Sequence, residues 1–172
     1  MPHFHLSLQA GDDMVLKRMK RRHLRADAVR LVERIKAARP DATIGADLIA
    51  GFPTETEAMA EGSLRLLDDC DVIAAHVFPF SPRPGTPAAR MPQVEREIVK
   101  TRAARLREAA AKRRSAWLDG IVGTTQRVLI ENSAKGHSDG FAPVRIDGAA
   151  RGDSGTARIT GRAGDHLVGV FA

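Results

Sequence analysis

The sequence predicts an α/β fold built on parallel strands, followed by a small all-β barrel of about 50 residues. Three observations carry this. Strand-length segments with period-two alternation recur at His3–Gln9, Thr43–Ala50 and Val72–Phe80. Each ends in a glycine- or proline-bearing loop that leads toward a helical repeat. After Leu118 the apolar runs shorten and are bounded by Gly, Asp or Ser. The domains expected are therefore residues 1–118 and 119–172.

His3 to Gln9 puts Phe4, Leu6 and Leu8 on one face and His3, His5, Ser7 and Gln9 on the other. Ala10-Gly11-Asp12-Asp13 turns the chain and supplies a helix cap. Apolar residues then recur at helical spacing through Val15–Met19 and at Leu24, Ala28, Leu31, Val32 and Ile35, in a segment that Pro40 closes. In the second strand Ile44, Ala46 and Leu48 alternate with Gly45, Asp47 and Ile49, and Gly51-Phe52-Pro53 breaks it. Thr54-Glu55-Thr56-Glu57 reads as a capping box, the Thr54 hydroxyl and Glu57 carboxylate satisfying each other's free backbone donors, with a helix to about Asp69. His76, Phe78 and Phe80 share one face of the third strand, and five prolines between Pro79 and Pro92 force a loop. Val94–Leu118 reads as a long basic helix. Thr124–Glu131, Phe141–Ile146, Thr156–Thr160 and His166–Phe171 read as the strands of the small barrel.

In a parallel sheet with helical crossovers, reactive groups gather at the carboxyl ends of the strands, where the loops converge. The candidates on that rim are Ser7, Gln9, Asp47, Ile49, Gly51 and the run from His76 to Ser81, including Phe80. Polar residues on one face of all three strands point to a ligand cavity, with a packed lumen of satisfied polar side chains as the alternative. His76 reads as a hydrogen-bonded lumen residue rather than a ligand, and no metal site is expected.

Composition narrows the function. The chain has 172 residues, 43% hydrophobic and 28% charged, with no Tyr and a net charge of +6. Its one cysteine, Cys70, forms no intramolecular disulfide and by itself holds neither a zinc ion nor an iron–sulfur cluster. No apolar run approaches the ~20 residues of a membrane span, and no signal-peptide pattern opens the chain, so a cytoplasmic protein is expected. Residues 14–39 hold ten Lys/Arg against two acids and residues 94–118 hold eight against three, whereas 40–93 hold three against eight. Two basic stripes of this kind suit a polyanion such as RNA, or else solvate helix faces.

Three long motifs carry a resemblance. His3-Phe4-His5-Leu6-Ser7-Leu8-Gln9-Ala10-Gly11-Asp12-Asp13 with Leu16-Lys17-Arg18-Met19-Lys20-Arg21, Asp47-Leu48-Ile49-Ala50-Gly51-Phe52-Pro53-Thr54-Glu55-Thr56, and His76-Val77-Phe78-Pro79-Phe80-Ser81-Pro82-Arg83-Pro84-Gly85-Thr86-Pro87-Ala88 closely resemble the later half of the radical S-adenosylmethionine tRNA methylthiotransferases. They stand in the family's order and spacing, and Gly123-Thr124-Thr125-Gln126-Arg127-Val128-Leu129 resembles entry into its RNA-binding TRAM domain. His76-Val77-Phe78-Pro79 leans toward the branch that acts on threonylcarbamoyladenosine beside the tRNA anticodon. The resemblance implies the C-terminal half of a partial, TIM-like (β/α) barrel followed by an OB-like TRAM domain. It implies S-adenosylmethionine as cofactor, held by Ser7, Gln9, Arg21, Asp47, Ile49, Gly51, Phe80 and Ser81. It also implies tRNA as partner, met by Lys17, Arg18, Lys20, Arg22 and Arg127. In the family's chemistry a cluster reduces the cofactor to a 5′-deoxyadenosyl radical, which removes hydrogen from an adenosine carbon before sulfur and methyl are added.

Members of the family carry two [4Fe–4S] clusters on cysteines of an N-terminal domain and of a Cys-x-x-x-Cys-x-x-Cys loop, and neither set is present in this sequence. The chain thus resembles a C-terminal fragment that lacks the first three of about six barrel strands. It would be inactive alone, with no catalytic residue of its own, and would need the N-terminal half or a complementing chain. The reading from a different class is a non-catalytic module that binds RNA or a partner through its basic helices.

Overall fold

The computed structural model describes residues 1–172. Its contacts divide them into two compact units: Phe4–Pro40 with Ile44–Lys112, and Arg113–Ala172 with the short pieces Met1–His3 and Asp41–Thr43. The division falls inside the long helix, between Lys112 and Arg113, slightly before the change of texture that the sequence shows at 118/119.

The larger unit carries a three-stranded sheet of order β1 (His3–Gln9), β2 (Thr43–Ala50), β3 (Val72–Pro79). β2 and β3 run parallel, with Asp47 opposite His76 and Ile49 opposite Phe78. The alternation sorts the two faces. Leu8, Ile44, Ala46, Leu48, Ala50 and Val77 pack with helix residues such as Ala28, Val32, Leu66, Leu67, Ala103 and Leu106 into one core. The opposite face presents His5, Ser7, His76 and Phe78 to solvent, and Phe78 is 51% exposed.

The helical segment after β1 is two helices, α1 (Asp13–Arg18) and α2 (Arg25–Ala38). The break is a Schellman motif: Arg21 N–H donates to Leu16 C=O and Lys20 N–H to Lys17 C=O, with Lys20 left-handed at φ 59°. Periodicity alone misses it because Lys20 stands where glycine is usual. Before α1, Gly11 N–H donates to Ser63 Oγ at 3.0 Å. A Cβ on Gly11 would lie 2.2 Å from the Gly62 carbonyl oxygen, so the β1–α1 loop touches the backbone of α3 (Glu57–Asp69) directly.

The expected capping box is corrected by two residues. Thr56, not Thr54, caps α3, accepting from Met59 N–H, while Thr54 sits at φ 65° with its buried hydroxyl unpartnered. Glu57 turns instead to α4 (Arg96–Ile121), where it meets Arg102 and Arg105. Beside it, Glu55 is buried. Its carboxylate accepts from Gly51 N–H at 3.0 Å and from Arg102 Nη1 at 3.0 Å, and Arg102 also donates to the Glu55 carbonyl at 2.9 Å. Arg105 reaches Glu61 as well, and Arg107 donates to the Val77 carbonyl on the outer edge of β3 at 3.0 Å. Arg102 and Arg105 of the second basic stripe thus neutralise Glu55, Glu57 and Glu61 of the acidic middle of the chain.

The smaller unit is a closed five-stranded barrel of order β4-β5-β6-β8-β7, with β4 Thr125–Asn132, β5 Lys135–Ser138, β6 Pro143–Arg145, β7 Ser154–Ala163 and β8 His166–Phe171. Val128, Ile130, Val144, Ile159 and Leu167 fill it, together with Leu118 from the last turns of α4. β5 is a strand the periodicity does not reveal, since Lys-Gly-His-Ser has no apolar alternation. β7 runs past the expected Thr156–Thr160, and α4 runs past Leu118 to Ile121.

Removing Arg102 leaves a buried carboxylate without its countercharge. Arg102→Ala should lower stability by about 3–5 kcal/mol, read as a reduced urea midpoint with unchanged slope. Arg105→Ala, whose ion pairs are half exposed, should cost far less. Equal losses for the two variants would contradict this account.

Candidate functional site

β1, β2 and β3 all end on one rim, and the chain does something unusual there. Gln9, the last residue of β1, has φ 70°, and Ala10 N–H donates back to Leu8 C=O at 2.9 Å. This is the geometry of the rare, strained γ-turn, in a residue other than glycine. On the third strand Phe80 N–H donates to Ala50 C=O at 2.8 Å, carrying the pairing one step past β3. The Phe80 ring meets Phe52 edge-on at 5.2 Å and joins a small core with Val15 and Leu16.

Between these ends lies a hollow of about 580 Å³ lined by Gln9, Asp47, Ile49, Phe78, Pro79, Phe80, Ser81, Arg83, Thr86 and Ala88. A smaller hollow of about 330 Å³ shares Gln9, Ile49, Thr86 and Ala88 and adds Arg18, Met19, Lys20, Arg21, Phe52 and Pro87. Five of the eight cofactor candidates, Gln9, Asp47, Ile49, Phe80 and Ser81, thus meet around one space, and Arg21 borders the adjoining one. Ser7 lies outside both linings and is exposed on the same face as Gln9. Gly51 lies outside these two but lines a third hollow of about 510 Å³ with Phe80 and Ser81; it has φ 75°, and a Cβ there would sit 2.5 Å from Val99 Cγ2 of α4. Its glycine answers to packing behind the wall. Arg83, Thr86 and Ala88 are lining residues that strand positions alone do not identify, because they come from the proline-rich loop folding back over the rim.

Halfway along the exposed sheet face, His5 Nε2 donates to Asp47 Oδ1 at 2.9 Å, and His76 Nδ1 lies 3.3 Å from the same oxygen. The His5 hydrogen bond, with the neighbouring imidazoles, holds the Asp47 carboxyl below the usual carboxylate range. His76 is exposed on this face, and Asp47 is the acid beside it.

Among the candidate RNA contacts, Lys17, Lys20 and Arg22 are exposed and form no ion pair. Arg18 instead donates to the Thr54 carbonyl at 3.4 Å and is half buried. Arg127, on the barrel, is exposed, 3.9 Å from Asp139. Cys70 is fully buried and its thiol is pushed up to about 11 by burial, so it supplies no thiolate at neutral pH.

Comparison with known proteins gives this arrangement its context. Residues 1–67 match the Radical SAM superfamily. The chain is 48% identical to the threonylcarbamoyladenosine tRNA methylthiotransferase MtaB of Rickettsia prowazekii over 86% of its own length and 35% of that protein's. It is 41% and 38% identical to the tRNA-2-methylthio-N(6)-dimethylallyladenosine synthases of Erythrobacter litoralis and Paracoccus denitrificans, over 98% and 100% of this chain and 40% of each relative. Residues 1–67 are thus similar to radical SAM proteins. More narrowly, the chain is similar over most of its length to the tRNA methylthiotransferases. It spans about two fifths of the length of the curated relatives it matches. No helix is long and apolar enough to cross a membrane.

The rim depends on Glu55, whose carboxyl burial pushes above its ordinary value while Gly51 N–H and Arg102 oppose the rise. A raised folded-state value means that Glu55 contributes stability fully below the ordinary carboxylate pKa and loses it as pH rises through the raised value. A carboxyl-carbon NMR titration should place Glu55 above an ordinary glutamate, and Arg102→Met should move it higher still. A Glu55 midpoint below the ordinary value would refute the assignment.

Proposed function

We propose that this chain supplies the S-adenosylmethionine-binding wall and the tRNA-docking module of a tRNA methylthiotransferase that modifies C2 of threonylcarbamoyladenosine next to the anticodon. The observation that carries the reading is the rim hollow, where Gln9, Asp47, Ile49, Phe80 and Ser81 meet. Its volume suits a nucleoside-sized ligand, and its lining pairs hydrogen-bonding groups with apolar walls. The strain held at Gln9 supports a site rather than a passive cavity. The higher identity to the threonylcarbamoyladenosine enzyme than to the dimethylallyladenosine enzymes supports the substrate.

In this reading Gln9, with Ser7 beside it, hydrogen-bonds the polar end of the cofactor. Arg21 pairs with its methionine carboxylate through a bidentate fork. Asp47 and Ile49 face adenine and ribose, Gly51 keeps the wall in shape from behind, and Phe80 and Ser81 close the third side. The bound cofactor supplies the methyl group and the adenosyl fragment of the family's chemistry. The residues present fit such a ligand. They do not fit an iron–sulfur cluster, since the chain's single thiol is buried and protonated. The cluster ligands in this reading belong to polypeptide outside these 172 residues, an N-terminal half or a complementing chain, and this chain alone is inactive.

The closed barrel is proposed as a TRAM-like, OB-like RNA module, with Arg127 on it. Lys17, Lys20 and Arg22 provide phosphate contacts in the larger unit. The lone cysteine also favours a second reading, a non-catalytic RNA-binding module, and one pair of measurements separates the two. Calorimetric titration with S-adenosylmethionine should show one saturable site per chain, weakened several-fold by Gln9→Ala or Phe80→Ala. The tRNA affinity should fall steeply with salt, and the Lys20→Ala/Arg22→Ala double variant should reduce the log–log slope by roughly 2. Salt-dependent tRNA binding with no cofactor binding would leave only the second reading, and a flat salt response would remove the tRNA from both.

A further inference from the structure

We propose that His5, Asp47 and His76 form a binding site for one divalent first-row transition-metal ion on the open face of the sheet. The inference does not rest on the cofactor reading. It follows from what three adjacent strands place at one level.

Neighbouring strands of a sheet lie about 4.8 Å apart, so residues at one level and on one face present their side chains side by side. Asp47 sits on the central strand, opposite His76 on β3, and His5 reaches it from β1. One imidazole nitrogen from each histidine and one oxygen from the aspartate lie within 4.8 Å of one another. The sequence conceals the group because its members are 42 and 29 positions apart, with no motif spacing.

The chemistry of the set is specific. Bonds of about 2.0–2.2 Å to nitrogen and oxygen place neighbouring ligand atoms of a tetrahedral or octahedral ion roughly 3 Å apart. Asp47 Oδ1 already stands 2.9 Å from His5 Nε2 and 3.3 Å from His76 Nδ1. A modest rotation of His76, whose side chain is 66% exposed, brings the two imidazoles around a common centre. Two neutral imidazoles and one carboxylate make a borderline ligand set, suited to zinc, cobalt or iron(II) rather than to calcium or magnesium. The three donors come from one side, which leaves the coordination positions facing the lumen open.

Titration of the untagged chain with Co²⁺ and Zn²⁺, with no nucleoside present, tests this directly. One equivalent of Co²⁺ should bind saturably and produce a ligand-field band, which Zn²⁺ should displace. In the wild-type chain Co²⁺ should broaden the imidazole NMR signals of His5 and His76 while leaving those of His137 and His166 sharp. His76→Gln and Asp47→Asn should abolish the one-equivalent binding, and His137→Gln, on the other unit, should leave it unchanged. Absence of saturable binding would overturn the site, as would broadening centred on His137 or binding that survives His76→Gln. Because His76 is exposed, its variant is expected to fold. The wild-type broadening pattern decides the matter even if Asp47→Asn does not. Metal binding without cofactor binding would uphold this inference and sink the cofactor reading, and the reverse result would do the opposite.

Discussion

The buried pair of Glu55 and Arg102 is the constraint around which the larger unit is arranged. A carboxylate removed from water in the loop after β2 is tolerable only with a countercharge and further hydrogen bonds, and both come from fixed directions. Arg102 arrives from α4, and the Gly51 amide arrives from the turn that Glu55 closes. One side chain therefore shapes the loop at the end of the central strand and anchors a 26-residue helix against it. The neighbouring contacts of Glu57 with Arg102 and Arg105 extend the same arrangement to the surface. Two arginines of the second basic stripe and three acids of the middle segment thus complement one another, a relation that net charge conceals.

The rim is held from several sides while its front stays open. Behind it stand the glycine turn at Gly51, the ion pair and the Phe52–Phe80 contact. In front, the face carrying His5, Asp47, His76 and Phe78 meets solvent. Binding groups on such a scaffold are preorganised without being sealed.

The strands and their faces were legible because alternation depends only on neighbouring residues. β2 starts and ends where its pattern does, and the apolar side of each strand is the side that packs on the helices. The gathering of Gln9, Asp47, Ile49, Phe80 and Ser81 was legible too, since parallel strands bring their carboxyl ends together whatever the loops do. What the sequence hid depends on long-range partners. The break at Lys20 uses a residue without a turn signature, and β5 is a strand only because the barrel closes around it. Thr56 caps α3 in place of Thr54, and Glu57, instead of closing a box, meets arginines 45 and 48 residues away. The His5, Asp47 and His76 cluster was readable as three polar lumen positions, but their common level appears only with the strand register.

The contact between Gly11 and Gly62 sets a limit on how this protein can vary. Each position presses bare backbone on the other's carbonyl, so neither has a side chain to surrender when its partner grows. A mutation at one has no compensating replacement at the other, and a suppressor would have to shift α3 or the loop after β1 as a body. The two sites should therefore be inherited together, silent in chemistry and intolerant of drift.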